Sequence, residues 1–186
     1  NIWVRLINDA ARHFGHPPIE ANTFRAVYGQ STEEDVNAFF PGQSVLEVDT
    51  YYANHFLEYV DDIEIVPDAA GVLSQLDAWN VGVAVVTNTA SLLARQILTS
   101  AKLAPGTVVG GDDVPNGKPS PDMIFAACQQ LAVSPSETLV VGDSQFDMEA
   151  ALSAGARFLG IGNVDSAQKI RGLNEILQII QPGSAG

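Results

Sequence analysis

Two carboxylates four residues apart, Asp143 and Asp147, follow a glycine at the end of the apolar run Val140-Val141-Gly142. Hard oxygen ligands of this kind suit Mg²⁺. Two of them so close repel one another unless a cation or Lys118 lies between. Lys118 stands in Gly117-Lys118-Pro119-Ser120-Pro121-Asp122, whose prolines restrict the backbone around a helix N-terminus. A further apolar run ends at Thr87-Asn88-Thr89. Carboxylates for a cation, a point positive charge and a hydroxyl donor are the parts that phosphoryl transfer needs, because its catalysis is mainly positioning and charge neutralisation. Thr87, with the backbone amides around Asn88, would donate to a phosphoryl oxygen, and Lys118 would bind the same group and steady a carboxylate nucleophile beside it. Each residue taken alone also has a plain structural reading. Thr87 reads as a turn or cap residue, Asp143 as a turn residue and Asp147 as an acid in a first helical turn. Their joint order on successive strand ends favours the chemical reading.

The elements that must position them divide the chain in two. Over residues 1–60, apolar positions such as Ile2, Leu6, Ile7, Ala10, Ala11 and Phe14 recur at helical spacing, and turn signals cut the region into about four helices. Beyond Asp61-Asp62-Ile63-Glu64, which reads as a solvated hinge, the texture changes. A helix at 68–79 leads to the β-branched run 81–87, and a helix at 90–101 leads to the short strand 107–109. A helix at 121–132 leads to the strand 138–142, a helix at 146–154 to the strand 156–161, and a helix near 173–180 precedes a flexible Pro-Gly-Ser-Ala-Gly tail. Strand alternating with helix predicts an α/β fold, a Rossmann-like parallel sheet with helices on both faces, over residues 63–186, and an all-helical domain over 1–62. Ligands of such sheets bind beyond the carboxyl ends of the strands, where Thr87, Lys118 and Asp143 would converge.

Val85-Val86-Thr87-Asn88, then Gly117 to Asp122, then Val141-Gly142-Asp143-Ser144-Gln145-Phe146-Asp147-Met148-Glu149-Ala150-Ala151 with Ala154-Gly155, resemble the second, third and fourth motifs of the haloacid dehalogenase-like superfamily. Gly110-Gly111-Asp112-Asp113 is similar to its phosphoglycolate phosphatase and β-phosphoglucomutase branch. The resemblance implies Mg²⁺-dependent hydrolysis of a small phosphate monoester through an aspartyl-phosphate intermediate. Thr87 would bind the phosphoryl group, Lys118 would steady it and the nucleophile, Asp143 would ligate Mg²⁺, and Asp147 would support the metal or Lys118. The block 1–62 resembles the mobile cap of that family, in which Gln30 and Ser31, within Gly29-Gln30-Ser31-Thr32, are candidates to contact substrate; a helix-capping turn is the plainer reading of them. The family's first motif, Asp-x-Asp-Gly-Thr, carries the nucleophile and is not found in this sequence. Its superficial echo, Glu47-Val48-Asp49-Thr50, lacks the glycine and falls in a cap helix. Family spacing places the motif shortly before Asn1, together with the central strand of the sheet.

Bulk properties narrow the partners. With 22 acidic against 9 basic residues, a formal charge of −13 repels nucleic acid and anionic membranes, and no apolar run of membrane-spanning length or leader peptide is visible. Cys128 is the single cysteine, which excludes an internal disulfide and fits a reducing cytoplasm. His13, His16 and His55 read as surface residues, and Cys128 as packing. The expected partner is a small phosphorylated metabolite, the cofactor Mg²⁺, and the assembly a monomer or homodimer. A phosphomutase on the same scaffold is the nearest rival, and a catalytically inactive binding protein of the same fold another. A signalling receiver fits less well, since its metal-binding acids precede the Thr and Lys rather than follow them, and dehalogenation departs from the phosphatase pattern around Lys118.

Overall fold

The structure, a computed structural model, describes residues 2–180. Helices fill its first third: α1 (Ile2–Phe14), α2 (Ala21–Ala26), α3 (Thr32–Phe39) and α4 (Val45–His55), followed by a 3₁₀ segment, Phe56–Asp62. Leu6, Ile7, Ala10 and Ala11 of α1 are buried at the spacing of one helical face. They pack with Phe40, Val48, Tyr52 and Phe56 in one cluster. Ser31 and Ser44 start α3 and α4 with capping boxes closed by Glu34 and Glu47, each worth about 1 kcal/mol. Asp62, expected in a solvated hinge, ends the 3₁₀ segment and pairs with Arg5 of α1. Glu47-Val48-Asp49-Thr50 lies inside α4.

The remainder alternates helix and strand: α5 (Ala69–Ala78), β1 (Ala84–Val86), α6 (Ser91–Ser100), β2 (Thr107–Val109), α7 (Asp122–Leu131), β3 (Leu139–Gly142), α8 (Gln145–Ala154), β4 (Arg157–Ile161), β5 (Lys169–Ile170) and α9 (Ile176–Ile179). All three strand pairings are parallel, which makes this an α/β fold. β1 is shorter than the apolar run 81–87 because it lasts only as long as its partner: Ala84, Val85 and Val86 face Thr107, Val108 and Val109. The helix expected near 173–180 is a 3₁₀ turn, Leu173–Glu175, running into one turn of α9. The tail 182–186 lies outside the described residues. Among the described residues no helix is long and apolar enough to cross a membrane.

The strands form two ladders, β1-β2 and β3-β4-β5, and no hydrogen bonds join β1 to β3 among the described residues. α7 nonetheless lies over both: Val86 of β1 and Val140 of β3 pack in one cluster around Ile124 and Cys128. Cys128 is buried there, in a packing role. Ala84 to Val86 and Leu139 to Val141 are only half-buried, although their sequences read as strands covered on both faces. Their carboxyl ends open on the same edge. Leu93 and Ile97 of α6 pack into the helical cluster and dock that block beside the edge.

Candidate active site at the strand ends

A cavity of about 190 Å³ lies at this edge, with Thr87, Asn88, Lys118, Asp143, Ser144 and Asp147 on the strand-end side. Tyr28, Gln30, Thr32, Asp35, Asp49 and Tyr52 of the helical block form the facing wall. Of the residues singled out in the sequence, all line it except Ser31. The Ser31 hydroxyl accepts from the Glu34 amide and donates to the Glu34 carboxylate, capping α3.

Lys118 is held at the centre. Its Nζ donates to Asp147 Oδ1 at 2.6 Å and to the Val86 carbonyl at 3.1 Å. The pair is nearly dry, with side-chain exposures of 10% and 11%. An ammonium carries three donors, so one remains for a ligand. Asp147 is also the third residue of α8, where its Oδ2 accepts from the Ser144 hydroxyl at 2.6 Å and the Ser144 amide at 3.1 Å. Burial by itself would raise its pKa, but the Lys118 charge and these hydrogen bonds outweigh it and hold the carboxyl below its ordinary value. Gly142 is what lets α8 fold back so closely: a Cβ there would sit 2.4 Å from the Asp147 Cβ.

Among the described residues Asp143 has no such ion-pair partner. Burial and then the negative charge of Asp147 raise its pKa, offset in part by a backbone hydrogen bond and Lys118. Two carboxylates sharing one lysine are the charge arrangement that a hard cation relieves. Asp143 and one free lone pair of Asp147 Oδ1 could supply oxygens to it; among the described residues no third Asp, Glu, His or Cys joins them. From across the cavity the Tyr28 phenol senses the same charge. Its pKa is raised by burial and then by Asp143 and Asp147.

Thr87 fixes its backbone by donating N–H to the Val109 carbonyl at 3.0 Å, and its hydroxyl accepts from the Thr89 amide at 3.2 Å. The hydroxyl proton stays available to the cavity. Asn88, expected to contact substrate, is 6% exposed and both of its amide hydrogens are engaged. Its Oδ1 accepts from the Lys118 amide at 2.7 Å, and its Nδ2 donates to the carbonyls of Lys118 and Gly29, both at 2.9 Å. Asn88 thereby ties the lysine loop to the helical block, at a turn where Gly29 has φ +96°. Neither amide hydrogen is free to donate to a ligand in this arrangement.

The facing wall holds groups the sequence did not single out. Thr32 Oγ1 donates to Asp49 Oδ1 at 2.7 Å, while Tyr52 OH and Gln30 Nε2 donate to Asp35 at 3.1 and 2.7 Å. Thr32 and Asp35 are one turn apart on α3, as are Asp49 and Tyr52 on α4, so each helix presents a matching polar pair. That crossed i, i+3 pattern was the available signal. The histidines take no part: His16 bonds Gln43, His55 bonds Glu58, and His13 packs against Phe14 and Tyr51.

Comparison with known proteins places this geometry in a family. A phosphoglycolate phosphatase of Escherichia coli is 33% identical over 99 residues, covering 52% of this chain and 39% of that protein. The chain thus spans about two fifths of the length of the curated relatives it matches. Among solved structures, a hydrolase from Pseudomonas syringae superposes with a TM-score of 0.79 at 23% identity, over 96% of this chain and 92% of that one. A β-phosphoglucomutase from Clostridium difficile superposes at 0.76 and 18%, over 97% and 86%. At such identities these two likenesses show the fold. The sequence match to the family of haloacid dehalogenase-like hydrolases runs over residues 1–161. The chain belongs to that family.

Proposed function

We propose that this protein hydrolyses small phosphate monoesters with Mg²⁺, through an aspartyl-phosphate intermediate. The observation that carries the reading is the dry Lys118–Asp147 pair, set in one cavity with the Thr87 hydroxyl and the Asp143 carboxylate. Thr87 donates its hydroxyl to one phosphoryl oxygen, and Lys118 turns its third N–H toward the same group. Asn88 holds the backbone of Lys118 on both sides of the residue, so the ammonium is positioned before substrate arrives. Mg²⁺ bound at Asp143, with Asp147 beside it, would neutralise charge on the transferring group. The nucleophile of such a mechanism is an aspartate of the family's first motif, which is not found in this sequence, and Lys118 would steady it beside the phosphoryl group. Residues 1–62 act as the cap and 63–186 as the core, and the cap excludes bulk water when it closes.

A phosphomutase would need the same strand-end groups and, in addition, wall groups that hold a second substrate hydroxyl. Asp35 and Asp49 could do so. Release of inorganic phosphate from a panel of esters by the full-length protein, with and without Mg²⁺, tests the proposal. Metal-dependent release that vanishes in Asp143→Asn is expected. Turnover of Asp143→Asn at the wild-type rate would remove Asp143 from the metal site, and transfer to a second hydroxyl without phosphate release would favour the mutase.

A further inference from the structure

The wall facing the strand ends has a chemical character of its own. Its charged groups are two carboxylates, Asp35 on α3 and Asp49 on α4. The donors beside them are turned inward: Tyr52 OH and Gln30 Nε2 point at Asp35, and Thr32 Oγ1 points at Asp49. An ionised carboxylate accepts about four hydrogen bonds and donates none. These contacts fill two sites on Asp35 and one on Asp49, so what the two carboxylates keep open is acceptor capacity; the Tyr28 phenol is a neutral donor on the same wall and brings no positive charge. Among the described residues lining the cavity, Lys118 is the single Lys, Arg or His. It sits at the opposite side, committed to Asp147 and the Val86 carbonyl.

We infer that the part of the substrate remote from its phosphate is a hydrogen-bond donor, an uncharged polyol or an amine, and that esters carrying a carboxylate there are disfavoured. The inference rests on the proposed phosphate site at Thr87 and Lys118. A ligand anchored there by its phosphoryl group reaches across the cavity to Asp35 and Asp49. Hydroxyl or ammonium hydrogens meet open lone pairs on that wall. A carboxylate meets two like charges with no cation to offset them, and like charges brought together in a partly dry site are strongly disfavoured. Burial raises the Asp35 carboxyl to about 6, against the lowering effect of its hydrogen bonds from Gln30 and Tyr52. 2-Phosphoglycolate, an ester of the kind named for the Escherichia coli relative, falls in the disfavoured class.

The test compares glycerol 3-phosphate and phosphoethanolamine with 2-phosphoglycolate on the full-length protein with Mg²⁺, by calorimetric affinity and by kcat/KM, with p-nitrophenyl phosphate as a substrate that lacks both features. The donor-bearing esters should bind and react at least about tenfold better than 2-phosphoglycolate. Asp49→Asn should narrow that ratio severalfold, and Asp35→Asn provides the same check should Asp49→Asn fold poorly. Equal or better affinity for 2-phosphoglycolate in the wild type, or a ratio untouched by both variants, overturns the inference. The two readings fail separately. Hydrolysis of p-nitrophenyl phosphate with a preference for 2-phosphoglycolate sinks the inference and leaves the phosphatase standing. Tighter binding of donor-bearing esters without turnover of any ester sinks the phosphatase and leaves the wall assignment standing. Binding of none of these esters overturns both.

Discussion

Replacing Lys118 with Met tests whether the buried pair at the strand ends is a charge balance or a packing contact. Met keeps most of the stem volume and removes the ammonium, leaving Asp147 at 8% exposure without its counter-charge. Removing one partner of a buried pair costs about 3–5 kcal/mol. Here Asp147 keeps the hydroxyl and amide of Ser144 on Oδ2, so the expected loss at about pH 7.5 is lower, about 2–3 kcal/mol. The pH dependence is the sharper signature. In the native protein the Asp147 pKa lies below its ordinary value of 3.8, so its contribution to stability is present above that value and is lost only as pH falls through the folded pKa. In the variant, burial is no longer outweighed by Lys118 and the carboxyl rises. Its protonated form then fits the site better than its ionised form, and stability falls as pH rises through the new value. Urea unfolding at about pH 4.5 and about pH 7.5, with carboxyl NMR titration of Asp147, reads both. The expected outcome is a small loss in acid and a large one near neutrality. A loss below about 1 kcal/mol at both, or an Asp147 that still titrates below its ordinary range, would show that Ser144 alone holds the carboxylate.

Asn88→Ala leaves the Lys118 amide and the Lys118 and Gly29 carbonyls without their partner and should cost about 2–4 kcal/mol in denaturant unfolding; a loss within error would mean water replaces the amide. Asp35→Asn removes a carboxyl whose folded pKa is raised to about 6 from 3.8, and at about 1.4 kcal/mol per decade the ionised form weakens the fold by up to about 3 kcal/mol. That penalty is absent below the unfolded value and complete above about pH 6, so the variant should be the more stable protein at about pH 8 and lose the advantage by about pH 4. A variant less stable at both would contradict it. Gly142→Ala places a Cβ 2.4 Å from that of Asp147 and should destabilise by about 2 kcal/mol or more, with the Lys118–Asp147 contact lengthened in a crystal structure of the variant.

The alternation of elements was legible because burial imposes it. Leu6, Ile7, Ala10 and Ala11 repeat at helical spacing and do share one buried face, and the strand Leu139–Gly142 falls where its apolar run is. Extents were less legible, since a ladder ends where its partner ends: residues 81–83 are as apolar as Ala84–Val86 yet lie outside β1, whose register with β2 starts at Ala84 and Thr107. β5 is two residues long and has no period to detect. The division into two ladders follows from pairing between distant segments and leaves no mark on local pattern.

Within the site, residue type announced the charged groups but not their obligations. Asn88 looked like a ligand donor beside Thr87; what commits it is a carbonyl 59 residues away and a loop 30 residues away. Asp35 carried no signal of its own and Asp49 stood only in a false echo of the first motif; the two became a wall when α3 and α4 crossed with Thr32 and Tyr52 between them. Asp147 is the most instructive position. In the sequence it could be an acid in a first helical turn or a group attending Lys118, and these readings competed. The structure assigns one oxygen to each: Oδ2 closes the cap of α8 with Ser144, and Oδ1 holds Lys118. The cap fixes where the carboxylate points, so the helix start doubles as the device that presents a preoriented acceptor to the lysine, and the absence of a side chain at Gly142 is the steric condition for both.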